Sequence, residues 1–245
     1  MPKIFEIGGC VRDELLGIHT KDIDFTFVLD DLTLSVDEGW DLMLEHLKNE
    51  GFKIFLETKD CFTVRAMFPK GHKHEGLTAD FVMARKEIGY KKGTRRPILE
   101  LGTLLDDQRR RDFTINTMAK DEDGELIDPF EGVLDLDNKT IRTPLDPVET
   151  LMEDPLRMLR AIRFSITKGF EIEESLFQAM FTEGLLDKLE KVVSEERIRE
   201  ELQKMLQHNS AQAIRMLGVF DKADGRLLDI IFKGDLWLSP TTKKK

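Results

Sequence analysis

The amino-acid sequence changes its pattern near residue 146, and this change constrains the fold more than any other feature. Before it, strand-like and helix-like stretches alternate: strands at 3–7, 23–28, 53–57, 62–67 and 77–84, helices at 11–16 and 40–49. After it, the periodicity is helical throughout: 150–165, 174–182, 194–208 and 210–218. We therefore expect an α+β fold, with a mixed sheet and helices over 1–145, an all-helical part over 146–240 and a basic tail over 241–245.

Composition and charge exclude several classes of protein. No run reaches the roughly 18 apolar residues of a membrane span, and the first residues lack the apolar core of a signal peptide. Cys10 and Cys61 follow no metal or redox spacing, so we expect a reduced, cytoplasmic protein with no membrane partner. The net charge of −10 argues against a nucleic-acid binder that depends on bulk positive charge. Lys and Arg are instead concentrated locally, at 85–96, 109–111 and 157–163, which favours phosphate contacts at defined places.

Two acids stand together at the start of an apolar strand. Asp22 and Asp24 belong to K-D-I-D-F-T-F-V, and residues two apart on a strand point to the same face. Neighbouring carboxylates repel each other unless a cation offsets their charge, and hard oxygen ligands suit Mg²⁺. The motif alone also fits a strand end whose acids are simply solvated, so its interpretation depends on the residues around it.

Paired glycines precede these acids. Gly8-Gly9 follows the first predicted strand, is separated by twelve residues from Asp22 and leads into Val11-Arg12-Asp13. Glycines at a strand exit let a triphosphate approach the backbone closely, and an Arg side chain offers a fork for a phosphate. The G-x-x-x-x-G-K-[ST] pattern of a P-loop is absent from this stretch. A Gly-Gly pair by itself more often marks an ordinary turn.

The combination of Gly-Gly with Asp-x-Asp resembles the nucleotidyltransferase superfamily related to DNA polymerase β. The resemblance implies a catalytic head in which Asp22 and Asp24 bind two metal ions, expected to be Mg²⁺, that activate a 3′-hydroxyl and steady the leaving pyrophosphate. It implies a third catalytic carboxylate on a neighbouring strand, for which Asp80 in L-T-A-D-F-V is the candidate. It also assigns nucleotide binding to Gly8, Gly9 and Arg12.

Five blocks narrow the resemblance to the class II tRNA nucleotidyltransferases (CCA-adding enzymes) and their bacterial poly(A) polymerase relatives. The blocks are G-G-C-V-R-D-E-L-L-G at 8–17, R-R-D-F-T-I-N-T-M-A at 110–119, D-P-F-E-G at 128–132, E-D-P-L-R-M-L-R-A-I-R-F at 153–164 and E-R-I-R-E-E at 196–201. Their order and spacing match the family from residue 4 to about 208. Five separate blocks do not readily coincide by chance, so the resemblance is specific.

The resemblance implies roles for the block at 110–119. It places Arg111 and Asp112 in the nucleotide pocket, with Arg111 in contact with the nucleotide, and gives Asn116 a hydrogen bond to the sugar. The other interpretation of 110–112 is an ordinary surface ion pair.

The block at 153–164 resembles the part of the family that reads the incoming base. Helical spacing places Asp154 and Arg157 side by side. In the family, this Asp accepts from an exocyclic amine and this Arg donates to the adjacent ring acceptor, which selects cytosine and adenine over uracil and guanine. The resemblance also assigns nucleotide contacts to Arg160 and Arg163, whereas the structural alternative is an Arg-rich, solvated helix.

The last block carries charges that we interpret as structural. Glu196, Arg197 and Glu201 match the family pattern in E-R-I-R-E-E. We expect them to brace the template helix rather than to react.

The sequence also departs from the family pattern. Relatives continue through further helical body and tail regions that hold the tRNA, whereas this sequence ends at L-W-L-S-P-T-T-K-K-K, so we expect the tail to be absent. Relatives that add only CC lack a flexible loop after the third carboxylate. Residues 86–97 resemble that loop intact, which favours A addition as well.

The resemblance thus implies an Mg²⁺-dependent enzyme that adds or repairs the 3′-terminal CCA of tRNA from CTP and ATP and releases pyrophosphate. A poly(A) polymerase or A-adding tRNA nucleotidyltransferase shares every block and is the alternative. A catalytically inactive RNA-binding module on the same fold is the second alternative, and the intact Asp22 and Asp24 argue against it.

Overall fold

The computed structural model describes residues 2–20, 23–90, 97–222 and 225–233. The chain divides into two compact units, Met1–Leu136 and Asp137–Lys245. This division lies before the boundary that the sequence predicted at 145. The reason is a short parallel ladder between Thr140–Ile141 and Glu171–Ile172, which ties residues after 137 to the second unit.

The first unit alternates strands and helices, and the predicted α+β class is confirmed. Its strands are β1 (Lys3–Ile7), β2 (Ile23–Val28), β3 (Lys53–Thr58), β4 (Thr63–Met67), β5 (Thr78–Met83), β6 (Arg85–Tyr90), β7 (Pro97–Leu101), β8 (Ala119–Lys120) and β9 (Leu126–Ile127). Its helices are α1 (Gly9–Leu15), α2 (Val36–Asn49), α3 (Leu104–Arg109) and α4 (Gly132–Asp137).

Seven of the described strands form a mixed sheet in the order β3-β4-β5-β2-β1-β8-β9. Strands β2 and β5 run parallel at its centre, and the other neighbouring pairs are antiparallel. Because β2 and β5 are central, residues at matched positions on these two strands are held close together.

Alternation along the central strands separates a core face from a polar face. Ile23, Phe25 and Phe27 of β2 are buried, and the rings of Phe25 and Phe81 stack with centroids 5.1 Å apart. Helix α2 covers this face, and its His46 ring lies 5.3 Å from the ring of Phe27. Side chains at the intervening positions therefore point to the opposite face of the sheet.

The start of α2 shows how local sequence fixes a helix boundary. Ser35 accepts a hydrogen bond from the backbone N–H of Glu38, and the Glu38 carboxylate accepts one from the backbone N–H of Ser35. This capping box begins the helix at Val36, before the apolar periodicity that predicted a start at 40.

The prediction of a loop over 86–97 is wrong for its first part. Residues Arg85–Tyr90 form β6, which pairs antiparallel with β7 in a separate two-stranded sheet. Residues 91–96, which carry most of the basic cluster at 85–96, lie outside the described residues. High charge concealed the strand, because its charged residues give little alternation in hydrophobicity.

The second unit is mainly helical, as predicted. Two short strands, β10 (Thr140–Ile141) and β11 (Glu171–Ile172), accompany its helices α5 (Pro147–Glu153), α6 (Leu156–Lys168), α7 (Glu174–Ala179), α8 (Leu185–Val192), α9 (Glu195–Asp221) and α10 (Leu227–Phe232). The predicted basic tail at 241–245 lies outside the described residues.

Two helix boundaries test the sequence prediction in opposite ways. The single helix predicted over 150–165 is wrong, because Asp154 adopts an extended conformation before Pro155 and separates α5 from α6. A residue before proline is disfavoured in the helical region, which accounts for the break. The predicted interruption at 209 is confirmed, since Asn209 has φ −154° and ψ 94° inside α9.

Across residues 2–20, 23–90, 97–222 and 225–233, no helix is both long and apolar enough to cross a membrane.

Candidate functional site

Two acids of the predicted site lie side by side on the central strands. Asp24 of β2 and Asp80 of β5 are register partners in the parallel pair, and neighbouring strands are about 4.8 Å apart. Both occupy the face opposite the aromatic core; Asp24 is exposed and Asp80 is half-buried. Two carboxylates so placed supply the hard oxygen ligands that a divalent cation prefers.

The first acid of the motif cannot be placed with them. Asp22 lies outside the described residues, together with Lys21. Within the part of the chain that the structure describes, no group of three His, Cys, Asp or Glu side chains is arranged to hold a metal ion. Asp24 and Asp80 are therefore the described candidates for metal ligands, and the role of Asp22 stays a prediction.

A cation already contacts Asp80. Arg65 of β4 donates from Nε to Oδ1 (2.7 Å) and from Nη2 to Oδ2 (2.6 Å). The two residues are register partners in the antiparallel β4–β5 pair, so their side chains share a face. This bidentate pair engages both oxygens of the candidate third carboxylate.

The Gly-Gly turn brings the backbone close to a second cation. Gly8 has φ +88° and ψ −131°, a conformation that is open essentially to glycine alone. A Cβ atom at this position would lie 2.7 Å from Nη1 of Arg111. Two residues later, the Cys10 thiol lies 3.8 Å from the backbone oxygen of Asp24. Gly8 therefore permits Arg111 to pack against the turn, next to the strand that carries Asp24.

Arg12, Asn116 and Asp112 form one buried chain of hydrogen bonds. Arg12 donates from Nη1 to Oδ1 of Asn116, and Asn116 donates from Nδ2 to Oδ1 of Asp112 (2.8 Å). Arg12 also donates from Nε to Asp13 (2.9 Å). The sequence predicted Arg12 as a phosphate fork and Asn116 as a sugar ligand. In the structure both side chains connect α1 to the segment after α3, and the three residues are buried; the two roles stay predictions.

Arg111 is held by a carboxylate that the sequence analysis did not single out. Its Nε and Nη2 donate to Oδ2 of Asp107 (3.3 and 3.0 Å), while Arg110 binds the other oxygen. Thr26 of β2 donates its hydroxyl hydrogen to Oδ2 of Asp107 (2.8 Å). Asp107 is fully buried, so 110–112 is not an ordinary surface ion pair.

The environment of Asp107 favours its charged form. Burial alone raises the pKa of a carboxyl group, but the Arg111 and Arg110 guanidinium groups and the Thr26 hydroxyl outweigh it and lower the pKa of Asp107. Asp107 is thus an anion at neutral pH that orients two cations beside the Gly8 turn.

Part of this support was visible in the sequence. Asp107 precedes Arg110 and Arg111 by three and four residues, the spacings at which helical side chains meet. Its contact with Thr26, and that of Arg65 with Asp80, join residues that are distant along the chain. The Arg65–Asp80 contact follows from the register of β4 and β5, and the Thr26–Asp107 contact from the packing of α3 beside β2.

The second unit carries the predicted template residues. Asp154 accepts from Nη2 of Arg197 (2.7 Å) and from the backbone N–H of Leu156 (3.2 Å). Arg157 donates from Nη1 to the Thr150 carbonyl (3.0 Å) and to Glu153 (2.7 Å). Both side chains are thus hydrogen-bonded within the second unit, and their predicted side-by-side projection as a pair stays a prediction.

The remaining arginines of α6 are tied to α9. Arg163 donates from Nε to Glu201, and Arg160 lies 3.4 Å from the other Glu201 oxygen. The Arg163 guanidinium also lies 4.2 Å from the Phe164 ring centroid. Glu201 is buried, and with Arg197 it forms the kind of bracing contacts that we expected of residues 196–201.

A cavity of about 580 Å³ opens on the aromatic face of the sheet in the first unit. Its described lining includes Phe25, Phe52, Phe68 and His72. None of the predicted site residues contributes to that described lining, and Asp24 and Asp80 occupy the other face of the sheet. The cavity is therefore separate from the candidate site.

Comparison with known proteins identifies the family of the chain. Residues 4–142 match the family model "Poly A polymerase head domain". Residues 169–220 match "Probable RNA and SrmB-binding site of polymerase A". Together the two matches cover most of both units.

Curated relatives agree with the family models. The chain is 35% identical over 224 residues to tRNA nucleotidyltransferase cca2 of Schizosaccharomyces pombe, covering 86% of this chain and 45% of that protein. It is 36% identical over 208 residues to the CCA-adding enzyme of Lactobacillus helveticus, covering 81% of this chain and 45% of that protein. The chain thus spans about half the length of the curated relatives it matches.

Solved structures show the same likeness. The CCA-adding enzyme of Bacillus stearothermophilus in complex with CTP matches with a TM-score of 0.69 and 26% identity, over 88% of this chain and 47% of that one. The Thermotoga maritima CCA-adding enzyme complexed with tRNA matches with a TM-score of 0.67 and 29% identity, over 95% of this chain and 48% of that one.

Proposed function

Because this chain belongs to the poly(A) polymerase and tRNA nucleotidyltransferase family, we propose that it transfers nucleotides from CTP and ATP to the 3′ end of tRNA, adding or repairing the CCA end and releasing pyrophosphate. One observation carries the proposal: Asp24 and Asp80 are neighbours on the central strands, on the face of the sheet from which Thr26 reaches Asp107, the anchor of Arg111. This arrangement joins candidate metal ligands to a candidate phosphate contact.

Asp22, Asp24 and Asp80 are the proposed metal ligands, and Mg²⁺ is the proposed metal. Carboxylate oxygens are hard ligands, which suit Mg²⁺ better than a softer metal. When bound, Mg²⁺ would assist deprotonation of the RNA 3′-hydroxyl and offset charge on the leaving pyrophosphate. The chain's own contribution is to hold the carboxylates on two hydrogen-bonded strands, so that little reorganisation is needed.

Arg111 is the proposed contact for the nucleotide's phosphates. Asp107 fixes its guanidinium from one side, and the lack of a Cβ at Gly8 lets the guanidinium lie against the turn. A planar guanidinium binds phosphate oxygens in a fork, and a fixed guanidinium loses little conformational entropy on binding. Arg12, Asn116 and Asp112 complete the proposed pocket by holding the turn and this segment together.

Asp154 and Arg157 are the proposed readers of the base, with Arg160 and Arg163 as further nucleotide contacts. An ionised carboxylate has about four acceptor sites, so Asp154 can accept from a base amine while it accepts from Arg197. Cytosine and adenine present an amine beside a ring acceptor, whereas uracil and guanine present a carbonyl at that place. A bidentate contact of this kind contributes about 1–3 kcal/mol of discrimination.

A poly(A) polymerase or A-adding enzyme is the second candidate function. The family description of the head domain, which names poly(A) polymerase, favours it specifically. It would use the same metal ligands and the same phosphate contacts and would differ in nucleotide choice.

The test is end-labelling of a tRNA that stops before the CCA end, with each of the four nucleoside triphosphates supplied separately and then in pairs. CCA addition predicts labelling by CTP alone and by ATP only after CTP. Incorporation of ATP alone would support the second candidate instead. Asp24→Asn is the control, since it removes a proposed ligand from an exposed position.

The proposed location is the cytoplasm. The thiols of Cys10 and Cys61 are both free, which is consistent with a reducing compartment. This assignment stays a prediction.

A further inference from the structure

The acid Asp80 lies between another acid and an arginine. On one side its register partner is Asp24 of β2, and on the other it is Arg65 of β4. Two neighbouring carboxylates repel, and a cation within contact distance offsets that repulsion. Arg65 therefore stabilises this arrangement of the strands in the same way that a bound metal ion would.

Arg65 binds the same two carboxylate oxygens of Asp80 that a metal ion would bind. Nε and Nη2 of Arg65 bind Oδ1 and Oδ2 of Asp80 at 2.7 and 2.6 Å, the fork arrangement that occupies a carboxylate edge-on. A cation that approaches the same edge meets the guanidinium charge as well as its atoms. Arg65 and a metal ion are thus alternative partners for Asp80.

Arg65 is also able to leave. Its side chain is 54% exposed, compared with 27% for that of Asp80. An ion pair with one well-solvated partner contributes little to stability, so a divalent ion can replace Arg65 at small energetic cost. A deeply buried pair would prevent metal binding at Asp80, whereas this exposed pair only weakens it.

We propose that Arg65 competes with the catalytic metal for Asp80 and thereby sets the metal affinity of the head. This inference rests on the proposed metal site of Asp24 and Asp80. It predicts that Arg65 binds the Asp80 carboxylate when no metal is present, and that metal binding displaces the Arg65 guanidinium.

Mn²⁺ binding to the whole chain, measured by electron paramagnetic resonance without nucleotide or RNA, tests the proposal independently of activity. Arg65→Gln should tighten Mn²⁺ binding by roughly three- to tenfold, because both the competing donor and its charge are removed. The Mn²⁺ affinity of Arg65→Lys should lie between those of wild type and Arg65→Gln, since an ammonium keeps the charge but lacks the forked pair of donors. Arg226→Gln is the matched control, because Arg226 forms a similarly exposed pair with Asp187 (2.7 Å) in the second unit.

Asp80→Asn in the wild-type and Arg65→Gln backgrounds completes the design. Loss of the tightening in the double variant supports competition at Asp80. Equal affinity of Arg65→Gln, Arg226→Gln and wild type, with weaker binding by Asp80→Asn, would overturn the inference and leave the proposed function standing. Unchanged binding by both Asp24→Asn and Asp80→Asn would overturn the metal site itself, and the inference with it.

Discussion

Thr26 donates a hydrogen bond from its hydroxyl to a carboxylate oxygen of the buried Asp107, at 2.8 Å. Thr26 lies two residues after Asp24 on β2, and the same Asp107 oxygen accepts from Arg111. The strand of a proposed metal ligand and the proposed phosphate contact are therefore joined through one carboxylate. Asp107 acts here as a positioning residue, since its partners are protein groups.

We expect Asp107→Asn to lower the free energy of unfolding by about 2–4 kcal/mol, because two guanidinium groups lose their buried anion. Thr26→Val should cost only about 1–2 kcal/mol, since it removes one hydrogen bond at nearly constant volume. Urea unfolding at neutral pH measures both. Equal losses for the two variants would show that the ion pairs contribute nothing beyond the Thr26 contact.

The lowered pKa of Asp107 predicts a defined pH dependence. The folded state holds this carboxyl ionised more strongly than the unfolded chain does, so the unfolded state takes up protons first as pH falls. The stabilisation is complete above the unfolded pKa of about 3.9 and is lost as pH falls through the lower folded value. The difference in unfolding free energy between wild type and Asp107→Asn should therefore shrink as pH falls below about 3.9. A difference that stays constant on further acidification would contradict the assignment.

Gly8→Ala should disturb both stability and nucleotide binding. The backbone conformation at Gly8 excludes a Cβ, and the added atom would lie 2.7 Å from the Arg111 guanidinium. We expect a loss of about 2 kcal/mol in stability together with a raised KM for the nucleotide. Gly17→Ala is the control, because Gly17 also has positive φ (+70°) and no described atom within 4 Å of the added Cβ. It should cost about 1 kcal/mol and leave KM unchanged.

Asp24→Asn should abolish transfer while the protein stays folded. Asp24 is exposed on the polar face of β2, so its amide isostere disturbs little packing. Loss of a metal ligand removes several kcal/mol of transition-state stabilisation, which lowers kcat by at least about a hundredfold. Single-turnover transfer and thermal unfolding should be measured on the same preparation. Activity within tenfold of wild type would reject Asp24 as a ligand.

The sequence predicted the parts of the fold that depend on local pattern. Strands 3–7 and 23–28 are confirmed because apolar alternation marks their buried faces, and the break at Asn209 is confirmed because apolar periodicity is interrupted there. The pattern failed over 150–165, where apolar periodicity continues through Asp154-Pro155 although the backbone leaves the helix. Apolar periodicity shows which face of a helix is buried. It does not reveal a short break after which the next helix buries the same face.

The sequence offered candidate residues for the site but not the network that joins them. The family blocks identified Arg12, Arg111 and Asn116, yet the structure shows that Arg12 and Asn116 bind each other. Contacts such as Thr26 with Asp107 span 81 positions along the chain. They arise from tertiary packing, here of α3 beside β2, which a single sequence does not encode in any local pattern.

The template proposal makes the most discriminating prediction, because the structure supplies its own control. Asp154→Ala removes the acceptor that would bind the amine of cytosine or adenine, and it also removes the repulsion between a carboxylate and the carbonyl of uracil or guanine. We expect kcat/KM to fall by about 1–3 kcal/mol equivalent for CTP and ATP, with a relative gain for UTP and GTP.

Asp154 also accepts from Arg197, so a purely structural role is the competing explanation. Arg197→Gln breaks that contact and keeps the carboxylate; it should lower kcat/KM for all four nucleotides in similar proportion. If Asp154→Ala likewise leaves the ratio of CTP to UTP unchanged, Asp154 serves only to brace the junction of α5 and α6 against α9.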